Sequence, residues 1–550
     1  MTEWLLSGHN MQESITLARA LTTTALEWGT NIQTKWFMER LAGRDAARFD
    51  RALPVTIVVQ GWIYANVNYL IRNAGLVMPF DPASVGVPGG MLPDPAPIPL
   101  VRQLLIPWRF YRVYRWAANF YKNKLVPLGS RLREAYWQLR DASTDPLDSI
   151  WPLFDQELYE LRVDAGYAHI ANIFTVMILD SILRKSAPEL LGLFAGQETA
   201  TSLIGQHVWK LRQIAEKCGA AVCLHLREGQ ANLEIYDAIP EAAPLIAGVR
   251  EFLRQYGHRG FEHELNFEAE RLADHPGHVM MSIASQLHES TSPDERAKVS
   301  RRRALRALEA MPFAKRALWQ RLLRWGQYLI AWRETSKSNL SMQQALYGLA
   351  AHYLSRHFYP DDDENMMLLY TFDEFLAFGK SRGQQEVSRE VLEQRRAEFE
   401  TYQAQEPPPE LIWYDPETLR WRPAIEDEPE QRLAMADPSR LHGIPASAGK
   451  GTVEGVALVV HDPIEAGRRL METEGPVVLV TRFTDPAWSS LFARLTAMVT
   501  ELGGVISHTA IVARENGLPA VVGVAQATQR VHDGQHLRVD GAAGVVEILS

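Results

Sequence analysis

The chain has 550 residues, 46% of them hydrophobic and 22% charged, with 57 Lys and Arg against 66 Asp and Glu for a formal charge of −9. That length builds two or three domains with sizeable cores, and the acidic balance argues against the broadly basic surface that a nucleic-acid binder presents. Two cysteines, Cys218 and Cys223, are too few for a disulfide framework and lack metal-ligand companions, so they read as core thiols of a cytoplasmic protein. No charged-then-apolar leader opens the sequence. The most apolar run, LPVTIVVQGWIYANVNYLI, is interrupted by Gln60, Asn66 and Asn68, which predicts an interior helix or strand and no membrane span.

From Met1 to about Tyr402 the pattern is mostly helical: ESITLARALTTTALEWG, PWRFYRVYRWAANFYKNK and SREVLEQRRAEFETYQAQ space their apolar residues by three and four. Phe110, Tyr114, Ala117 and Tyr121 fall on one helical face as a packing stripe. Trp62, Tyr64, Trp108, Tyr111, Tyr114 and Trp116 are either core or the walls of an apolar slot. AAVCLHL and ANLEIYDAI, on either side of REGQ, predict a strand pair. EPPPELIWYDPETLRWRPAIEDEPEQ then breaks the periodicity with prolines and acids, and predicts a linker over 403–441. As a flexible coil it would span roughly 35 Å root-mean-square, although Trp413 and Trp421 point to partial docking. The predicted architecture is multidomain: a mainly α-helical domain over 1–402, possibly in two lobes, the linker, and a small α/β domain over 442–550.

Within that last domain MVTELGGVISHTAIVARENGLPAVVGV parses as a strand through Val499, a turn at Gly503-Gly504 and a helix from about Thr509 to Asn516, stopped by Gly517 and Pro519. His508 stands where the turn meets the helix, and a neutral imidazole held there can accept a phosphoryl group and hand it on. Gly503, Gly504, Ser507, Thr509 and Arg514 are the surroundings that would stabilise the phosphohistidine. A helix N-terminus favours an anion by about 0.3–2 kcal/mol, which steadies a phosphohistidine without generating one. The phosphate must come from elsewhere.

This histidine segment, together with GIPASAGKGTVEGVALVV, the TDPAW turn and DGQHLRVDGAAGVVEI, resembles the swivelling phosphohistidine domain of phosphoenolpyruvate synthase, pyruvate phosphate dikinase and rifampin phosphotransferase. The resemblance implies that His508 is a transient phosphoryl carrier. The synthases and dikinases usually carry Thr two residues before the histidine, whereas Ile506 stands here, closer to the rifampin enzymes. NMQESIT, VVQGWIYANVN, FLRQYGHRGFEHEL, WRETSK and LYTFDEF resemble, in this order, the substrate-binding domain of rifampin phosphotransferases and the histidine-bearing subunit of phenylphosphate synthase. Neither an ATP-grasp domain nor a phosphoenolpyruvate barrel is recognised along the sequence. The expectation is therefore the phenylphosphate synthase arrangement, with ATP and Mg²⁺ on a separate ATP-grasp subunit and a small phenolic or alcohol substrate on this chain.

A second centre must meet the phosphohistidine with cations and a base, because phosphoryl transfer is mostly positioning and charge neutralisation. Arg333 and Lys337, four apart on one helical face, are the cationic candidates; like charges at that spacing repel unless an anion joins them. The resemblance to the rifampin enzymes favours these two positions. The glycine-flanked YGHRG segment offers His258 and Arg259, followed by Glu262 and Glu264. His258 ranks first and Glu264 second as general base, since either group suits proton removal from a hydroxyl; Arg259, Glu262, Trp62 and Tyr64 are the substrate-binding candidates. The alternative for YGHRG is structural, with Arg259 pairing a nearby carboxylate. The acidic run Asp361 to Glu364 reads as a wet loop, and His275 and His278 lack a third ligand, so no metal site is expected. Other readings are the same chemistry on an antibiotic or natural-product hydroxyl, or a non-catalytic carrier or regulatory scaffold.

Overall fold

The computed structural model describes residues 3–8, 17–42, 47–73, 118–141, 146–155, 200–260, 264–287, 292–362, 365–424, 439–449, 451–485, 491–504 and 507–549, with isolated positions between them. The main helices in chain order are α1 Ala20–Ala42, α2 Val67–Arg72, α3 Val126–Arg140, α4 Ala200–Cys218, α5 Ala220–Arg227, α6 Leu233–Asp237 and α7 Ala243–Tyr256. They continue as α8 Pro276–Gln286, α9 Pro293–Glu309, α10 Phe313–Phe358, α11 Phe372–Lys380, α12 Arg389–Gln403, α13 Pro463–Glu472 and α14 His508–Asn516. Two compact units emerge. One holds Met1–Thr175, His263–Ala269 and Thr335–Glu426; the other holds Val176–Glu262, Glu270–Glu334 and Asp427–Ser550.

The first unit combines helices with a five-stranded sheet. Its strands are β1 Trp4–Ser7, β2 Thr56–Val59, β3 Trp62–Asn66, β4 Leu411–Asp415 and β5 Arg420–Pro423, in the order β2-β3-β1-β4-β5. The apolar run around Gln60 is thus a hairpin. Gln60 (φ 50°) and Gly61 (φ 78°) form its two-residue turn, where positive φ at both positions matches the twist of the flanking strands. Asn66 then caps α2 by accepting from the Tyr69 N–H. The proposed linker stretch is not all coil: β4 pairs with β1, Leu5 opposite Trp413, so residues 411–423 are built into this sheet. Trp62 and Tyr64 are buried in the sheet core with Leu6, Ile57 and Ile412. A larger core forms where α1, α3, the second half of α10, α11 and α12 bury Leu21, Leu132, Leu346, Phe375 and Leu392. The LYTFDEF motif starts α11 with a reciprocal cap, Thr371 and Glu374 each bonding the other's backbone N–H, and Arg395 grips the Glu374 carboxylate.

In the second unit α4 to α8 enclose a core that includes Val208, Leu211, Leu245, Val249 and Ile283. The strand pair expected at AAVCLHL and ANLEIYDAI is absent; both segments are helical, as α5 and α6. Val222 and Leu226, four apart, are both buried, which is a helical and not an alternating pattern. Gly219 (φ 107°) separates α5 from α4, and Asn232 starts α6 by accepting from the Glu234 N–H. The same unit contains an eight-stranded sheet of β6 Arg440–His442, β7 Ile444–Ser447, β8 Val453–Val459, β9 Val477–Thr481, β10 Ala497–Thr500, β11 Ala520–Val522, β12 His536–Asp540 and β13 Val545–Ile548. Its order is β6-β13-β12-β8-β9-β10-β11-β7, with β8 to β11 parallel and the flanking strands antiparallel. Every residue of β9, VVLVT, is buried, as expected of a parallel strand covered on both faces. The α/β domain read from the sequence is present.

Candidate functional site

Strand β10 delivers the chain to a turn that only local chemistry can hold. Gly503 takes φ 110°, outside the range of side-chain-bearing residues, and the Gly504 carbonyl accepts from the Ser507 N–H at 3.0 Å. Ser507 is the N-cap of α14, its hydroxyl accepting from the Ala510 N–H at 3.1 Å. His508 is therefore the first residue of the helix, where the helix dipole favours a negative group. Thr509 shares a 2.8 Å hydroxyl contact with Thr484 of the TDPAW turn, which ties the two motifs together. The Phe492 ring lies 6.2 Å from the imidazole, and His508 keeps only 9% of its surface exposed. Arg514, in the last turn of the helix, donates from Nε to the Ala446 carbonyl at 2.9 Å and so anchors α14 to β7. Gly517 closes the helix in the left-handed conformation at φ 64°. Ile506 lies outside the described residues.

The α/β domain is packed on the helices of its own unit. α14 touches α4 and α9, while α13 lies on α8. Ile464 and Met471 of α13 rest on the α4–α8 core, and a Cβ placed on Gly467 would stand 3.7 Å from the Met281 Cβ, an ordinary contact. This apolar seam was not read from the sequence. Its trace there is the hydrophobic face of PIEAGRRLME, whose spacing alone does not name a partner.

The YGHRG segment follows α7 as a turn. The Tyr256 carbonyl accepts from the Arg259 N–H, the Leu272 N–H donates to the Arg259 carbonyl, and Gly260 bridges Arg271. His258 and Arg259 are each only 2% exposed, so both are interior groups of the second unit. Glu262 lies outside the described residues. Arg333 and Lys337 both stand on α10, as the helical spacing required. Arg333 pairs with the adjacent Glu334. Lys337 Nζ lies 3.5 Å from Oε2 of Glu264, which is 2% exposed, and this pair belongs to the first unit. Buried opposite charges at that distance hold each other in place more than they stabilise the fold. Trp62 and Tyr64 pack in the sheet, and the Tyr64 hydroxyl donates to the Pro409 carbonyl at 2.9 Å. Of the acidic run, Asp362 pairs with Arg389 at 2.6 Å; His275 pairs with Glu270 at 2.6 Å.

Two family profiles match parts of the chain: the PEP-utilising enzyme mobile domain over residues 473–544, and the rifampicin phosphotransferase fourth domain over residues 166–334. His508 falls in the first span; His258, Arg259, Glu264 and Arg333 fall in the second. The rifampicin phosphotransferase of Streptomyces sviceus is 32% identical over 341 residues, covering 58% of this chain and 37% of that protein. That of Bacillus subtilis is 36% identical over 160 residues, 29% of this chain and 17% of its own length. The phosphoenolpyruvate synthase of Aeropyrum pernix is 42% identical over 147 residues, 25% of this chain and 17% of the synthase. The chain thus spans little more than a third of the length of the Streptomyces relative and less of the other two. Among the described residues no helix is long and apolar enough to cross a membrane.

Proposed function

We propose that this chain is the phosphohistidine-carrying and acceptor-binding part of an ATP-dependent phosphotransferase. The observation that carries the reading is His508 at the head of α14, behind the Gly503-Gly504 turn, in an α/β domain similar to the mobile domain of PEP-utilising enzymes. A nucleotide-binding protein of ATP-grasp type, holding ATP and Mg²⁺, phosphorylates His508 and releases AMP and phosphate; both phosphoanhydride bonds of ATP break, one phosphoryl group going to the imidazole nitrogen and the other to a water. Its place on a separate subunit follows the resemblance to phenylphosphate synthase. The phosphorus–nitrogen bond then breaks as the acceptor oxygen bonds to phosphorus. The hydroxyl proton passes to a base, His258 in the first instance, with Glu264 as the alternative. Arg333 and Lys337 neutralise the transferring oxygens, and Glu264 holds the Lys337 ammonium in position.

The helical part, 1–402, serves as the substrate-binding domain and 442–550 as the swivelling domain. Because β4 and β5 are sheet strands, residues 411–423 do not serve as free linker. The acceptor is a phenolic hydroxyl, such as that of phenol or an alkylphenol. A natural-product hydroxyl is the second reading, favoured by the identity shared with rifampicin phosphotransferases. The test is reconstitution with an ATP-grasp partner, labelled ATP and phenol. Labelled, acid-labile phosphate should appear on this chain and then on the phenol, and none should appear without the partner. Turnover by this chain alone would contradict the split arrangement. His258→Ala should stop transfer to the acceptor while His508 still becomes labelled; loss of both steps would discredit the base assignment.

A further inference from the structure

Helix α10 carries polar side chains in its middle, SKSNLSMQQ, where a packed helix would carry Leu or Ala. At about 100° per residue, Lys337, Ser341, Gln344 and Gly348 fall within roughly 60° of one another and form one stripe. Two contacts show what the stripe faces. Lys337 Nζ lies 3.5 Å from Glu264 Oε2, and a Cβ placed on Gly348 would stand 2.0 Å from the Phe267 carbonyl oxygen. The segment from Glu264 to Phe267 therefore runs along the stripe, and Ser341 and Gln344 stand between these two contacts.

Both are shut away from water, Ser341 at 0% and Gln344 at 2% exposure. Among the described residues no hydrogen-bond partner reaches Ser341 Oγ or Gln344 Oε1. A serine inside a helix ordinarily has at least the carbonyl four residues back to bond. Leaving a buried polar atom unmet costs about 1–3 kcal/mol, a cost that alanine or methionine at these positions would avoid. Oxygens kept there at that cost suit a ligand that completes them.

We infer that Ser341 and Gln344 are specificity-determining residues of the acceptor site. They bond a second polar group of the acceptor while Lys337 meets the hydroxyl that takes the phosphoryl group; this rests on the phosphotransferase reading above. The helix rise puts the two residues about 6 and 10 Å beyond Lys337 along the axis. The acceptor class is a hydroxyl compound with a further hydroxyl or amide N–H at that reach, a group that phenol itself lacks.

The probes are para-phenylphenol and para,para′-biphenol, equal in shape apart from one distant hydroxyl, titrated calorimetrically into the full chain without ATP. The biphenol should bind about tenfold more tightly, the worth of one hydrogen bond to an otherwise unmet buried group. Gln344→Met and Ser341→Ala should each lower that ratio, and the double variant should bring it to about one, with melting temperatures held or raised. Equal affinities in the wild type, no binding of either probe, or a ratio that both variants leave unchanged overturns the inference. Labelling of His508 is followed separately. An unlabelled His508 with an intact ratio sinks only the phosphotransferase reading, and a labelled His508 with no selectivity sinks only the present one.

Discussion

Around His508 the turn, the cap and the helix stop are made by near neighbours, whereas along the polar face of α10 the contacts come from chain far away in sequence. The Gly504 carbonyl, the Ser507 cap and the Gly517 stop all lie within one short segment. Lys337 and Gly348 instead meet Glu264 and Phe267, some seventy or eighty residues upstream. A site closed by local bonds can be carried on a domain that moves, since its geometry travels with it. A site assembled from distant segments depends on the packing of a whole unit, and suits the place where an acceptor is held.

The contrast breaks most readily at Gly348. Gly348→Ala drives a methyl group into the Phe267 carbonyl and should destabilise the first unit by about 3 kcal/mol or more, seen as a lowered denaturation midpoint. A neutral effect would mean that the 264–269 segment does not lie on α10. Lys337→Met comes next. It leaves the Glu264 carboxylate buried without its ammonium, and should slow delivery to the acceptor about a hundredfold while His508 labelling proceeds. Gly517→Ala probes the local side: nothing crowds its Cβ, so only the left-handed backbone is penalised, by about 1 kcal/mol. Ser507→Ala should cost a similar amount through the lost cap.

The smallest expected effect is a pH dependence. Burial first, and then the nearby Lys210 charge, hold the His207 imidazole below its ordinary range. The unfolded chain thus takes up the proton first, so stability is complete above about pH 6.5 and falls as pH drops through that value. His207→Gln should flatten this acid-side decline in thermal melts. An unaltered slope would show that His207 sets no pH dependence of stability.

The same difference in range decides what the sequence discloses. The strand, turn, cap and stop around His508 are written in consecutive residues, and the helix begins within one position of its predicted start. Arg333 and Lys337 fell on one helix because spacing of four is itself helical. The strand pair failed at Val222 and Leu226, since an apolar run as short as AAVCLHL carries no reliable period and Asn232 was not read as a cap. The hairpin after residue 410 was hidden because its partner, β1, lies at the other end of the chain. Lys337, Ser341 and Gln344 had a visible trace, polar residues four and three apart on one face of α10. Only burial shows that Ser341 and Gln344 matter.

The most direct measurement is the fate of labelled phosphate in the reconstituted system with His508 and with His508→Asn. Acid-labile label on the wild-type chain, chased onto the acceptor, with neither label nor product from the variant, is the predicted result. Undiminished turnover by the asparagine variant would contradict the carrier role of His508 and everything proposed from it.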